Sequence, residues 1–256
     1  MFTVHIVSKI TKKINIEKMS FIYQQNNLKD YKKDINNELY ILKLLSSNKN
    51  SVKYYGKYEK EKVIVMELCD KNLKEFMIEK NRALTVEEIK TKFLELNELF
   101  KEIQKENIIH RDLKLENFLV KYNKEKTDYI IKLGDYGTGK LKNNPNTIFS
   151  GLKGTPENVA PEIILEREQK YENTVDIFSL GIILYQLSHN LKHPFGENPI
   201  NHILTYDKNY EKDDLKIEFS ETIKNDDFKD LISRMIKLNP KNRLKWKDYF
   251  WHKYFK

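Results

Sequence analysis

The segment at residues 174–187, TVDIFSLGIILYQL, constrains the fold of this chain most because it is apolar on nearly every side. A helix of that character has no face for water, so other elements must cover it all round. The sequence therefore predicts a helical unit built around this segment. With 256 residues the chain is long enough to supply that cover, either as one large domain or as two lobes.

Further helices are predicted on both sides of this segment. Residues 85–88, T-V-E-E, have the pattern of a capping box and should begin a helix. Residues 227–238 have the pattern of another amphipathic helix, stopped by Asn239-Pro240. A short strand is expected at Tyr129–Leu133. One face of the helix after the capping box carries Ile89, Phe93, Leu96, Phe100 and Ile103.

The first 68 residues have a different pattern, of strands around a single helix. VHIVS and KMSFIYQ are β-rich, and VKYYGKY and KVIVMEL have the pattern of an antiparallel pair. Between these pairs, residues 34–45 place apolar side chains at helical spacing, with Glu38 on the same face. We therefore expect an α+β protein. Its small, mostly antiparallel part is residues 1–68, and its larger, mainly helical part is residues 69–256.

Composition argues against several classes of protein. No apolar run approaches the ~18 residues that a membrane span needs, so no membrane partner is expected. The net charge of +8 comes from 46 basic residues spread among the acidic ones rather than gathered in one stripe. That distribution favours a solvated surface over a nucleic-acid partner. Cys69 is the only cysteine, so no internal disulfide can form, and we expect a reducing compartment, the cytoplasm or the nucleus.

Polar residues are concentrated in the stretch IIHRDLKLENFLV, between two apolar runs. Asp112 and Asn117 are five residues apart on a loop that leaves the long amphipathic helix, and Asp135 follows a short strand directly. Two carboxylates that converge on one spot beside an amide repel each other unless a cation joins them. Oxygen ligands of this kind suit Mg²⁺ together with a phosphate, and the third group can orient an attacking hydroxyl.

Three motifs in this region stand in a fixed order. They are H-R-D-L-K-L-E-N at residues 110–117, D-Y-G at residues 135–137 and A-P-E at residues 160–162. In order and spacing they resemble the signature set of the protein kinase family, with Tyr in place of Phe in D-F-G. The resemblance covers most of the chain and implies a two-lobe kinase fold, in which the two parts form one domain. Further matches are G-T-P-E-N-V-A-P-E at 154–162, D-I-F-S-L-G at 176–181 and N-P-K-N-R at 239–243.

The resemblance implies a reaction, the transfer of the γ-phosphate of Mg·ATP to a hydroxyl of a protein substrate. Asp112 would accept or orient the proton of that hydroxyl, and Lys114 would steady the γ-phosphate. Asn117 and Asp135 would hold Mg²⁺. Lys114, two residues after Asp112, together with Thr155 implies a Ser/Thr kinase rather than a Tyr kinase.

The resemblance also implies a nucleotide pocket at the junction of the two parts. Met66 would be the gatekeeper, the backbone of Glu67 and Cys69 would meet adenine, and Leu119 would form the floor beneath it. The full set of implied nucleotide-binding residues is Val4, Glu38, Met66, Glu67, Cys69, Leu119 and Asp135.

Regulation is implied for the segment between D-Y-G and A-P-E. The family docks a phosphorylated activation segment on the arginine before the catalytic aspartate, which is Arg111 here. Thr147 and Ser150 are the candidate phosphate acceptors, ahead of Thr155. The alternative is that these residues are ordinary polar loop residues.

A structural ion pair is implied for the larger part. This chain has few arginines, yet Arg111 and Arg243 stand where the family uses a guanidinium. By the resemblance, Arg243 should form a buried pair with Glu162 of A-P-E. Such a pair would join the end of the activation segment to a late helix.

The first part departs from the family pattern. No glycine precedes Gly56, so the chain lacks the glycine-rich loop whose backbone N–H groups approach the phosphates. Glu38 stands where the family has a glutamate that its helix turns inward, and the preceding strand is aligned with the family pattern from that residue. Residues 20–22 then match A-I-K, and Ile22 stands where the family has the lysine that pairs with this glutamate and holds ATP.

Three interpretations follow from this departure. The sequence is an incomplete form of an active kinase, with a start inside the missing loop; or an atypical kinase that uses Lys9 or Lys18; or a pseudokinase or scaffold that binds partners without transferring phosphate. The first two belong to one class and the third to another. An active Ser/Thr kinase is the preferred interpretation because four residues of the implied machinery are intact, namely Asp112, Lys114, Asn117 and Asp135.

Overall fold

The computed structural model describes residues 19–23, 28–58, 63–141, 156–165, 172–206 and 216–256. The strands in these ranges are β1 (Met19–Tyr23), β2 (Tyr54–Tyr58), β3 (Val63–Glu67), β4 (Lys71–Asn72), β5 (Ile108–Ile109), β6 (Phe118–Tyr122), β7 (Tyr129–Leu133) and β8 (Lys140–Leu141). The α-helices are α1 (Leu28–Leu45), α2 (Leu73–Lys80), α3 (Val86–Lys105), α4 (Pro161–Ile164), α5 (Thr174–Ser188), α6 (Pro199–Tyr206), α7 (Asp226–Met235) and α8 (Trp246–Phe250). The α+β class predicted from the sequence is confirmed. The predicted strand at residues 4–8 lies outside the described residues, with Val4, Lys9, Lys18, Thr147, Ser150 and Thr155.

The first sheet has the strand order β1-β3-β2, and both pairings are antiparallel. The predicted pairing of VKYYGKY with KVIVMEL is therefore confirmed. Met66 lies opposite Ser20 on one side and Tyr54 on the other, so it occupies the central strand. The backbone of Ile22 lies opposite Ile64.

Helix α1 lies beside this sheet and begins earlier than the sequence predicted. The apolar periodicity predicted a start at residue 34, whereas the helix begins at Leu28. Its first turns, LKDYKK, are mostly polar, so they carry no periodic apolar face to reveal them. The predicted inward face is confirmed, because Glu38 is 2% exposed and lies among the buried side chains of Leu39, Leu42 and Leu45.

Helix α5 is the centre of the larger part, as its all-round apolar sequence predicted. Every residue of the helix is buried except the half-buried Gln186. A Cβ added at Gly181 would lie 2.8 Å from Cγ1 of Ile236 and 2.9 Å from Cβ of Met235, so only glycine allows α7 this close to α5. No helix in the described part of the chain is long and apolar enough to cross a membrane.

Helix α3 covers α5 on one side and begins at the predicted capping box. The Thr85 hydroxyl accepts from the N–H of Glu88, and the Glu88 carboxylate accepts from the N–H of Thr85. The five apolar residues that define its face are all buried. The predicted strand at Tyr129–Leu133 is confirmed as β7, which pairs with β6.

Helix α7 ends three residues before the position that the sequence predicted. The apolar pattern continues to Leu238, but the helix stops at Met235. The backbone beyond that point has another role, because the carbonyl oxygens of Lys237 and Leu238 accept hydrogen bonds from the Arg243 guanidinium at 3.0 and 3.4 Å. A continuous helix would turn these carbonyls along its own axis.

A loop at residues 46–53 joins the first sheet to the larger part. The N–H of Val52 donates to the carbonyl of Leu133 at 3.1 Å, and the N–H of Leu133 donates to the carbonyl of Asn50 at 2.7 Å. The Asn50 side chain donates to the carbonyl of Ile131 at 2.8 Å. The loop is therefore fixed along β7, immediately before D-Y-G.

Candidate active site

The loop at residues 110–117 is fixed by hydrogen bonds to helix α5. Asp176 in its first turn is 1% exposed, and its carboxylate accepts the backbone N–H groups of His110 at 2.7 Å and Arg111 at 2.8 Å. Burial raises the pKa of the Asp176 carboxyl, and the charges and amides of these two residues oppose that shift. Arg111 has φ +69°, a left-handed conformation that these hydrogen bonds stabilise.

Asp112 lies in this loop with its carboxylate held on one side. The Lys114 ammonium is 2.9 Å from Oδ2 of Asp112, and the Asn117 amide donates to the same oxygen at 3.2 Å. The Asn117 amide also donates to the backbone carbonyl of Asp112 at 2.7 Å. The structure thus brings together three residues that the sequence predicted as one site.

Asp135 reaches the same region from the end of β7. The N–H of Gly134 donates to the carbonyl of Asn117 at 3.0 Å, and the His110 ring contacts the carbonyl of Gly134 through Nε2 at 3.2 Å. Asp135 itself is exposed and has φ +54°. A Cβ added at Gly137 would lie 3.3 Å from Oδ1 of Asp135 and 3.7 Å from Oε2 of Glu38, so these two carboxylates approach the same glycine.

The residues in this region fit a magnesium ion. Asp135 offers an exposed carboxylate, and the Asn117 nitrogen makes the contacts to Asp112, which leaves its amide oxygen for another partner. Mg²⁺ prefers oxygen ligands and usually takes one or two from protein, with the rest from phosphate and water. In the described ranges no three or more His, Cys, Asp or Glu residues form a cluster suited to a metal.

The segment Glu67–Asp70 connects the first sheet to the larger part and is held by strands β6 and β7. The Lys121 ammonium donates to the carbonyl of Leu68. The N–H of Asp70 donates to the carbonyl of Val120 at 2.9 Å. We call this segment the hinge. Within the described ranges no hydrogen bond engages the backbone N–H of Cys69, which was predicted to meet adenine.

The other predicted pocket residues lie near the hinge and D-Y-G. Met66 is buried on the central strand that leads into the hinge. Leu119 is half-buried on β6, and its Cδ1 would lie 3.4 Å from a Cβ added at Gly134. Leu119 therefore lies directly beside the residue that precedes Asp135.

The tyrosine of D-Y-G is buried completely and uses its hydroxyl. The Tyr136 hydroxyl is 3.1 Å from Oγ of Ser51 and donates to the carbonyl of Leu133 at 3.3 Å. Burial raises the pKa of the Tyr136 phenol, so it remains neutral. A phenylalanine at this position would lack these bonds, which join D-Y-G to the loop at residues 46–53.

Arg111 is buried, and its guanidinium donates to the carbonyl of Thr138 from Nε at 2.7 Å and from Nη2. The Thr138 hydroxyl donates in turn to the carbonyl of His110 at 2.8 Å. Arg111 therefore supports the first residues of the predicted activation segment. Its predicted phosphate partners, Thr147 and Ser150, lie outside the described residues.

The predicted pair between Glu162 and Arg243 is confirmed. Nη1 and Nη2 of Arg243 contact the two carboxylate oxygens of Glu162 at 2.6 and 2.8 Å, and both side chains are at most 1% exposed. The other three N–H groups of the guanidinium donate to the carbonyls of Thr174, Lys237 and Leu238. All five donors of this arginine are therefore satisfied.

Sequence reasoning missed three side chains that hold the site. Asp176 had a visible signal, because a carboxylate in a helix that is otherwise apolar all round must find buried donors. Lys132 and Ser51 had no such signal. Lys132 looks like one of many surface lysines, yet it is 3% exposed.

The fold and this site together define the class of protein kinases. A model of the protein kinase domain matches residues 3–255. The chain therefore belongs to the protein kinase family.

Individual relatives are Ser/Thr kinases by name. The chain is 32% identical over 217 residues, 82% of its length, to the probable serine/threonine-protein kinase nek3 of Dictyostelium discoideum. It is 31% identical over 187 residues, 72% of its length, to the serine/threonine-protein kinase Nek5 of Mus musculus. It is 29% identical over 226 residues, 86% of its length, to the serine/threonine-protein kinase atg1 of Dictyostelium discoideum. The matches span 18%, 28% and 32% of the lengths of these relatives.

The thiol of Cys69 should react slowly with alkylating reagents at neutral pH. Burial, and then the negative charge of Glu67, raise the pKa of this thiol to about 11. The reactive thiolate is therefore scarce at pH 7.5, about two orders of magnitude rarer than for an ordinary thiol. Iodoacetamide labelling followed by intact-mass measurement should show a rate that rises about tenfold per pH unit between pH 7 and 9.

The urea-unfolded chain is the control for this measurement, because its single cysteine has an ordinary thiol pKa. Equal rates for the folded and unfolded chains at pH 7.5 would show that the Cys69 environment is not as described.

Proposed function

We propose that this chain transfers the γ-phosphate of Mg·ATP to a serine or threonine hydroxyl of a protein substrate. The observation that carries the proposal is the state of Asp112. Asp112 is 8% exposed, its Oδ2 is bonded to Lys114 and Asn117, and it lies on a loop anchored by Asp176. A base must be held in a fixed orientation to take a proton from a hydroxyl, and this carboxylate is so held.

Each residue of the site has a proposed role. Asp112 accepts or orients the hydroxyl proton, and Lys114 steadies the transferred phosphoryl group. Asn117 and Asp135 would hold Mg²⁺, which neutralises phosphate charge when bound. The hinge backbone at Glu67 and Cys69, with Met66 and Leu119, contacts adenine, and Val4 and Glu38 complete the nucleotide pocket.

The hinge is also the proposed boundary between two lobes. Residues 1–68 form the smaller lobe and residues 69–256 the larger, and nucleotide binds in the cleft between them. We further propose that a phosphate on Thr147 or Ser150, ahead of Thr155, docks at Arg111. Support for this comes from the bond between the Arg111 guanidinium and the carbonyl of Thr138, at the start of the same segment.

The direct test is a phosphotransfer assay on the full chain with Mg·ATP and a library of Ser/Thr and Tyr peptides. Incorporation into Ser/Thr peptides supports the proposal. Mg-dependent nucleotide binding without incorporation into any peptide contradicts transfer and favours the second candidate function.

That second candidate is a pseudokinase or scaffold, and it is favoured by Ile22. By the sequence alignment Ile22 stands where the family has its ATP lysine, and its backbone lies on β1 opposite Ile64. A pocket without a positioned cation at the phosphates loses a few kcal/mol of electrostatic stabilisation. The two candidates therefore differ in whether a lysine restored at position 22 would strengthen ATP binding.

Ile22→Lys separates the two candidates. In a kinase whose pocket is otherwise intact, the new ammonium should raise ATP affinity about tenfold, equivalent to ~1.4 kcal/mol, because it meets the phosphates. Titration with a fluorescent ATP analogue and Mg²⁺ measures the change. Ile78→Lys is the matched control, since Ile78 is 59% exposed on α2 and the same substitution there adds only surface charge.

A pseudokinase with a closed pocket would gain no affinity from Ile22→Lys. If the wild-type chain binds ATP and turns it over but Ile22→Lys changes nothing, the alignment of β1 is wrong. Lys9 and Lys18 are then the residues to substitute in the same titration.

A further inference from the structure

Lys132 is a buried cation to which the proposed function assigns no role. It lies on β7 and is 3% exposed, and it is the only buried lysine among the residues whose side chains the structure describes. Its ammonium contacts Oε2 of Glu67 at 3.1 Å and donates to the carbonyls of Lys49 at 2.5 Å and Ser51 at 3.2 Å. Three acceptors match its three donors, so the ammonium is fully satisfied away from water.

These contacts tie together three separate segments. Glu67 is the first residue of the hinge and the last of β3, Lys49 and Ser51 belong to the loop at residues 46–53, and Lys132 belongs to the larger part. The backbone of Glu67 is fixed as well, because its N–H donates to the carbonyl of Lys53 at 2.9 Å. Oε2 of Glu67 also accepts the N–H of Lys53 at 3.4 Å, so the directional ion pair with Lys132 fixes the Glu67 side chain together with the backbone of Lys53.

We infer that Lys132 is a positioning residue for nucleotide binding. Lys132 holds the hinge at the distance and angle at which the backbone of Glu67 and Cys69 meets adenine, a role that rests on the proposed function. Lys132 itself touches neither the nucleotide nor the transferred phosphate. Its loss should weaken ATP binding while the phosphoryl-transfer step, carried by the loop of Asp112, continues.

An ion pair suits this role better than an apolar contact. Apolar packing is non-directional, whereas an ammonium with three fixed acceptors allows one arrangement of the three segments. Buried ion pairs add little net stability, and substitution of both partners by apolar residues of similar volume often restores it. Stability and hinge position can therefore be separated by experiment.

The experiment measures the Kd of a fluorescent ATP analogue with Mg²⁺, the KM and kcat for ATP, and the melting temperature of the full chain. Lys132→Met should raise Kd and KM about tenfold and change kcat less than threefold. Lys92→Met is the matched control, because the Lys92 ammonium also contacts a carboxylate oxygen, of Asp128, and a carbonyl, of Tyr129, each at 2.6 Å, and neither residue belongs to the hinge. It should lower the melting temperature and leave Kd within twofold of the wild type.

The double variant Lys132→Met/Glu67→Leu distinguishes positioning from stability. We expect its melting temperature to recover toward that of the wild type while Kd stays raised. Recovery of both would show that Lys132 only stabilises the fold, and would overturn the inference. If Lys132→Met does not fold, Glu67→Gln removes the charge with little change of shape and should raise Kd about threefold.

The outcomes separate the inference from the proposed function. A wild-type chain that binds the analogue, with Lys132→Met and Glu67→Gln binding equally well, overturns the inference alone. A wild-type chain that binds no nucleotide overturns the proposed function, and the inference with it.

Discussion

Substitution of Asp112 by Asn should lower phosphoryl transfer to a Ser/Thr peptide by about 10³-fold. That factor corresponds to ~4 kcal/mol of lost transition-state stabilisation, within the range expected for removal of a general base. Asparagine keeps the shape of the side chain but cannot take the substrate proton, and it no longer offers a charge to the Lys114 ammonium at 2.9 Å. Turnover is measured with Mg·ATP and the best peptide from the library.

The melting temperature and the Kd for nucleotide show whether the lost turnover comes from the chemical step rather than from unfolding or weaker binding. The melting temperature and the Kd for nucleotide should change little, because the backbone contacts of the loop to Asp176 remain. Asp227→Asn, the same substitution at an exposed position on α7, should retain full activity. Unchanged turnover in Asp112→Asn would remove Asp112 from its proposed role.

Arg243→Ala should have the largest effect on stability, lowering the free energy of unfolding by about 3–5 kcal/mol. Glu162 is 1% exposed and would be left buried without its bidentate partner, and three backbone carbonyls would lose their donor. The Arg243 guanidinium also lies 5.0 Å from the centre of the Phe178 ring, so the substitution opens a cavity beside α5. Urea unfolding followed by circular dichroism measures the loss.

Two further variants test the reason for this effect. Arg234→Ala removes an exposed arginine 3.6 Å from Asp230 and should cost less than about 1 kcal/mol, since exposed pairs are screened by water. Arg243→Lys keeps the charge but not the five-donor fork, and should fall between the wild type and Arg243→Ala. If Arg243→Ala and Arg234→Ala cost the same, the buried pair does not stabilise the fold as described.

The sequence predicted those parts of the fold and site that depend on local patterns. The face of α3, the all-round burial of α5 and the capping box at Thr85 follow from spacing alone, and all are confirmed. The convergence of Asp112 and Asn117 is also local, because five residues on one loop separate them. Polar helix turns have no such pattern, which is why the start of α1 at Leu28 was placed too late.

Contacts between distant segments could not be read from the sequence in the same way. The pair of Glu67 with Lys132 and the bond between the Ser51 and Tyr136 hydroxyls each join residues more than 60 positions apart. Nothing in the local pattern marks one lysine as buried among many. The pair of Glu162 with Arg243 was predicted only because both residues fall within recognisable motifs.

The hydrogen bonds from Asp176 to His110 and Arg111 have a consequence for how the chain acquires activity as it folds. Asp176 lies 66 positions from His110 and 65 from Arg111, and Arg111 has a backbone conformation that it would not keep alone. A growing or refolding chain therefore cannot order this loop until helix α5 has docked, and such non-local contacts form slowly because a long loop must first close. We expect secondary structure to appear well before catalytic competence during refolding, and intermediates without a docked α5 to be inactive whatever nucleotide they meet.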